Sequence, residues 1–201
     1  GAGDRRDEDI RRQTEILGQV FGREDDARRE FELLAADDFA SIPVDALWLL
    51  SLCYVAEACA ILCDAKRAER LYGLLLPPAK RNVVVVNAAV NGPVERYLGK
   101  LAATLGRYDD AARHFEAAID FDRGLGARPL QARVQVDYAR MLLDRAAPGD
   151  REGALRLANE ALAVAHPLGM KLVTERALAA KLEAQGIDGS DTRRSVYAVA
   201  T

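Results

Sequence analysis

The sequence predicts an all-α fold assembled from repeated helix pairs, and three observations predict it. Ala68, Ala111 and Ala154 stand at equal steps of 43 residues, each inside a similar short pattern. A fixed period of that size means stacked copies of one supersecondary unit. Apolar residues recur at helical spacing, as in Leu98, Leu101, Ala102 and Leu105, and again in Ala111, Phe115, Ala118 and Ile119, which gathers them on one helix face. Of the 201 residues half are hydrophobic and 29% charged, yet only 6% are aromatic; the abundant alanines let helices approach closely.

The punctuation divides the chain into nine helices. Gly22 separates Ile10–Phe21 from Asp25–Leu34. Ser41-Ile42-Pro43 precedes Val44–Leu62, and Pro77-Pro78 ends Ala65–Leu76, because proline neither continues a helix nor leaves its predecessor free. Pro93 suits the first position of Val94–Leu105, and Gly106 breaks that helix before Tyr108–Phe121. Gly124, Gly126 and Pro129 mark the next break, ahead of Leu130–Leu143. Asp150 reads as the N-cap of Arg151–Ala165; Pro167 and Gly169 end that helix, and Lys171–Gln185 runs to Gly186. No segment reads as a sustained strand. The run Val83–Val86 lies between turn signals without an obvious partner and reads as a connection or a short helix.

Pairing these helices gives one domain over residues 1–186. Its repeats lie at about 7–36, 44–77, 92–125 and 130–166; a capping helix covers 170–186, and 187–201 is a tail or linker. The clearest copy is Tyr97-Leu98-Gly99 … Gly106-Arg107-Tyr108-Asp109-Asp110-Ala111 … Phe115 … Ala118. That pattern resembles the tetratricopeptide repeat (TPR), a helix–turn–helix unit of about 34 residues. The resemblance implies a right-handed superhelix of antiparallel helix pairs, about four repeats plus the capping helix. It assigns packing roles to Leu98, Gly99, Gly106, Tyr108, Ala111, Phe115 and Ala118. The longer period, with its excess in joins such as Pro77–Gly92, is similar to the repeat regions of large bacterial regulators that carry an ATPase module with a class III cyclase or LuxR-type output. No Gly-x-x-x-x-Gly-Lys-Ser/Thr phosphate loop is present, so such activities would belong to other domains.

Charge and cysteines narrow the function. The net charge is −3, whereas a duplex binder shows a basic excess, so nucleic acid is not the expected partner. No apolar stretch approaches the roughly 18 residues of a membrane span, and the start Gly1-Ala2-Gly3-Asp4-Arg5-Arg6 has no apolar signal region. Lacking an initiator methionine, that start reads as the edge of a piece of a larger protein. Three clustered cysteines, Cys53, Cys59 and Cys63, point away from a disulfide framework and towards a reducing, cytoplasmic setting.

Catalytic constellations are not apparent. His114 stands beside the core position Phe115 and is expected to point outward; His166 sits at a helix C-terminus, where a cation is favoured. Cys59 and Cys63 share a helix face, but a closed zinc site needs four ligands. No catalytic residue, metal or cofactor is therefore expected. The basic residues carry more information. In the family resembled, the first helix of each pair lines a concave groove. Carried over, that placement brings Arg96, Lys100, Arg133 and Arg140 to the groove, beyond an apolar part at Leu50, Cys53, Glu57, Ala60 and Ile61. Arginine forks suit carboxylates, so an anionic peptide is one candidate occupant. The competing reading has these cations solvated or paired with Glu95, Asp137 and Asp144. The expectation is a non-catalytic interaction or scaffold region of a cytoplasmic signalling regulator. It would bind a protein or peptide, a neighbouring domain or a second copy of itself. The alternative is a small-ligand sensor with a pocket near Asn82–Asn91.

Overall fold

A computed structural model describes residues 24–85 and 89–187; the expected helix Ile10–Phe21 and the tail beyond residue 187 lie outside them. The chain is mostly helical. Eight helices are described: α1 (Glu24–Ala35), α2 (Trp48–Ile61), α3 (Ala65–Leu75), α4 (Val94–Thr104), α5 (Tyr108–Gly124), α6 (Arg128–Arg145), α7 (Asp150–Ala165) and α8 (Lys171–Ala184). Each packs on the next in sequence, and a second set of contacts joins α2 to α4, α4 to α6 and α6 to α8. Alternate helices thus stand side by side in a row, with α3, α5 and α7 packed against them.

The periodic alanines lie inside this stack. Ala68, Ala111 and Ala154 are wholly buried. Gly99 faces the ring of Phe115: a Cβ there would come within 2.8 and 2.9 Å of two ring carbons. The absent side chain is what lets α5 lie against α4. Leu98, Phe115 and Ala118 are buried, and Tyr108 packs against the same core from a half-buried position. Gly106 joins α4 to α5 at φ +71°, a left-handed conformation that glycine adopts without steric cost.

The connection after α3 differs from its reading. Asn82–Val85 (β1) pairs antiparallel with Ala89–Pro93 (β2) as a β-hairpin, not a helix or plain linker. The valine run supplies the strand propensity. Its partner, Ala89-Val90-Asn91-Gly92-Pro93, hides from a propensity reading because it carries glycine and proline. Val83 pairs with Gly92 and Val84 with Val90, so Asn91 is the extra residue of a bulge. Bulges re-aim side chains, and this one matters below. The Val94 N–H donates to Arg81 O at 3.0 Å and ties the base of the hairpin to the start of α4.

Three helix starts also move. α2 begins at Trp48, not Val44, because Asp45 forms a turn whose carboxylate accepts the Leu47 N–H at 2.8 Å. α6 begins at Arg128, with Pro129 inside its first turn instead of in the break. Asp150 is the first residue of α7, behind Gly149 at φ +86°. Its carboxylate does not cap the helix; it accepts the Ala147 N–H at 2.7 Å and holds Arg145.

Candidate functional site

The row α2–α4–α6–α8 presents one face to a pocket of about 140 Å³. Tyr54, Glu57 and Ala58 reach it from α2, Arg96 and Tyr97 from α4, Arg133 and Val136 from α6, and Leu172, Val173 and Arg176 from α8. Asn91, the bulged residue of the hairpin, closes one side. Its Nδ2 donates to Tyr97 Oη at 3.0 Å and its Oδ1 accepts from Arg133 Nη1 at 3.3 Å.

Beside the pocket runs a buried charge network. Arg96 is only 3% exposed. Its Nε donates to Asp137 Oδ2 at 2.7 Å, and its Nη2 lies 2.6 Å from the same oxygen. Arg176 donates from Nη2 to Asp137 Oδ1 at 2.8 Å. Lys100 pairs with Glu57. Burial would raise the pKa of both acids, but the cations beside them win. Arg96 and Lys100 hold Glu57 at about 2, and Arg96, Lys100 and Arg176 hold Asp137 well below the carboxylate range. Burial lowers the pKa of Lys100, whereas Asp137 and Glu57 outweigh it at Arg96 and push that guanidinium up. The remaining contact is incomplete. Arg96 Nη1 lies 3.2 Å from Glu57 Oε2, yet both atoms are buried without a hydrogen-bond partner among the described residues.

The four cations expected in a groove therefore part company. Arg96 and Lys100 line the row but spend their charge internally, the pairing alternative extended to Glu57. Arg140 donates to Asp144 at 2.6 Å and to Glu183 at 2.7 and 3.0 Å. Arg133 makes no ion pair among the described residues and keeps the Asn91 contact alone. The reason lies in the repeat itself. Glu57 with Lys100, and Arg140 with Glu183, stand 43 residues apart, so opposite charges one period apart meet across neighbouring helices. That spacing was readable in the sequence; the match of Arg96 to Asp137, 41 residues on, was less so.

The histidine and cysteine readings fare differently. His114 is not turned outward: Nε2 meets Tyr72 Oη at 2.8 Å and Nδ1 meets Glu95 Oε2 at 2.5 Å, bridging α3, α4 and α5. Cys53 is buried, and desolvation pushes its thiol up; Cys59, pushed up by burial to about 12, sends its thiol to Asp64 O at 3.3 Å. Cys63 is exposed. Among the described residues no group of three or more His, Cys, Asp or Glu side chains is arranged to hold a metal, and no helix is long and apolar enough to cross a membrane. Asp122 on α5 went unnoticed in the sequence. It is fully buried, neither carboxylate oxygen has a hydrogen-bond partner among the described residues, and burial pushes its pKa up to about 6 against the pull of Arg96 and Arg133. No protein-family model, curated protein or solved structure matches the chain.

Proposed function

We propose that this chain is a non-catalytic interaction region of TPR-like, right-handed superhelical form, belonging to a larger cytoplasmic signalling or transcription regulator. Its concave face is the row α2–α4–α6–α8, and a partner peptide or neighbouring domain lies along that row with one side chain in the pocket. The observation that carries this reading is the convergence of four alternate helices and the hairpin on one pocket, with tyrosine and aliphatic walls. Apolar contact supplies the binding free energy, while charge sets register and partner choice. Arg133 is the cation left to do so; Arg96 and Lys100 are committed to the fold.

The test follows from that division. Leu172 is an exposed wall residue, so Leu172→Trp narrows the pocket without disturbing the core. Peptides selected on the whole chain should lose affinity for Leu172→Trp and, where acidic, for Arg133→Glu. Selected peptides that bind both variants like the parent would refute the assignment of the row.

The second reading, a small-ligand sensor, gains one observation of its own: the bulge delivers Asn91 into the pocket. A thermal-shift screen of metabolites without any stabilised condition counts against it, since a ligand bound only by the folded state raises stability by mass action.

A further inference from the structure

Two of the arginines that line the pocket keep hydrogen-bonding capacity where an occupant reaches it. Arg133, partly exposed on α6, makes no ion pair among the described residues; its one hydrogen bond there runs from Nη1 to Asn91 Oδ1 at 3.3 Å. Arg176 on α8 has a side chain 37% exposed and gives Nη2 to Asp137 Oδ1 at 2.8 Å. Its other N–H groups have no hydrogen-bond partner among the described residues. Arg96 stands in the same wall but is enclosed and committed to Asp137 and Glu57, so it takes no part.

The charges around the pocket do not balance. Arg96, Lys100, Arg133 and Arg176 meet only Glu57 and Asp137 there. Arg96 and Lys100 match those two acids, so the excess falls on Arg133 and Arg176. Asp122, buried in the core, draws on Arg133 as well, which leaves the uncommitted charge nearer one than two. A singly charged carboxylate matches that excess, whereas a dianionic phosphate overshoots it. Guanidinium forks also receive a carboxylate in plane, through paired N–H donors. Size and walls set the rest of the ligand. The pocket holds about 140 Å³, close to the ~150 Å³ of an apolar cavity that admits benzene. Tyr54 and Val173 are partly exposed and Leu172 is exposed, so a single aromatic ring finds apolar surface on these walls.

We propose that the pocket binds one aromatic ring with a carboxylate beside it, the ring against Tyr54, Leu172 and Val173 and the carboxylate shared by Arg133 and Arg176. The inference rests on the reading of the row as the binding face. Such a group has two sources, a free aromatic acid or a peptide in which an aromatic residue stands next to an acidic one.

The experiment uses the whole 201-residue chain and two arms. In the first, phenylacetate, its uncharged counterpart phenylacetamide and ring-less acetate are titrated while the backbone amides of Tyr54, Val136 and Val173 are followed by NMR. Phenylacetate should shift them saturably and bind about tenfold or more tighter than phenylacetamide, the scale of one hydrogen bond to a charged group; acetate should not saturate. Arg133→Gln should remove that preference while leaving phenylacetamide binding and the urea midpoint unchanged. Arg176→Lys keeps a charge beside Asp137 but loses the fork, and should weaken phenylacetate alone. In the second arm, heptapeptides are selected on the parent and counter-screened on Leu172→Trp. Aromatic residues next to aspartate or glutamate should be enriched, and replacing the acid with its amide should weaken binding.

Saturation by phenylacetate assigns the site to a free aromatic acid. Enrichment with silent phenylacetate assigns it to a partner peptide. Equal or tighter binding of phenylacetamide, or a preference for phenylacetate that survives in Arg133→Gln, overturns this inference alone. So do pocket-dependent peptides without a paired ring and acid, together with silent phenylacetate. Peptides indifferent to Leu172→Trp, with all probes silent, overturn the binding face as well.

Discussion

Replacing Asp122 with asparagine should stabilise the protein at neutral pH and do little in acid. The side chain is fully buried and its oxygens have no hydrogen-bond partner among the described residues. Burial raises its pKa from 3.8 to about 6. A raised acid binds its proton more tightly when folded, so between roughly pH 4 and 6 the folded state holds more protons than the unfolded one. Stability then falls as pH rises through that window. The gap of about two pH units corresponds to about 3 kcal/mol, fully felt above pH 6 and absent below about pH 4. Asp122→Asn removes the ionisation but not the burial. Urea unfolding of parent and variant from pH 4 to 8 gives the difference directly, with other titrating groups cancelling. The variant should gain up to about 3 kcal/mol by pH 7.5 and match the parent near pH 4. A pH-independent difference would mean that the folded state does not raise the Asp122 pKa at all, and a loss at pH 7.5 that Asp122 is ionised and held by Arg96 and Arg133; either result overturns the prediction.

The buried network and the helix contacts make further predictions. Asp137→Asn removes the carboxylate shared by Arg96 and Arg176 and should cost about 3–5 kcal/mol in chemical denaturation, the usual effect of breaking a buried pair from one side. Arg96→Met combined with Asp137→Leu should recover much of that loss. Glu57 is depressed from 4.5 to about 2, so its contribution is complete above about pH 4.5 and is lost as pH falls towards 2; Glu57→Gln should flatten that part of the acid-denaturation curve. Gly99→Ala drives a Cβ into the Phe115 ring and should destabilise by about 1–3 kcal/mol despite alanine's better helix propensity. Gly106→Ala meets no atoms within 4 Å but keeps φ +71°, so its cost, read by the same denaturation, should be about 1 kcal/mol.

The helical elements were legible because their signals are local. Gly106, Pro77-Pro78 and Gly169 stop helices whatever surrounds them, and the apolar spacing of Leu98–Leu105 defines a face before any partner is known. The hairpin was not legible, since half of it is Ala89–Pro93, a strand held by pairing with β1 and not by its own propensity. The charge network was half legible. Glu57 with Lys100, and Arg140 with Glu183, sit one period apart, so the stack itself brings them together. Arg96, Asp137 and Arg176 meet through differences between copies: position 96 is basic where its counterparts, Cys53 and Val136, are apolar. His114 departs from its expected outward direction for a similar reason. Its partners Tyr72 and Glu95 come from two other helices, and adjacency to Phe115 on its own helix reported only the first-order direction.

The proposed binding face is the one formed by α2, α4, α6 and α8. Backbone NMR of the full chain, titrated with peptides selected on it, tests this most directly. Shifts should concentrate at Tyr54, Asn91, Tyr97, Arg133, Val136 and Val173 and be lost in Leu172→Trp. Shifts that instead map to the outer surfaces of α3, α5 and α7, and persist in Leu172→Trp, would contradict it.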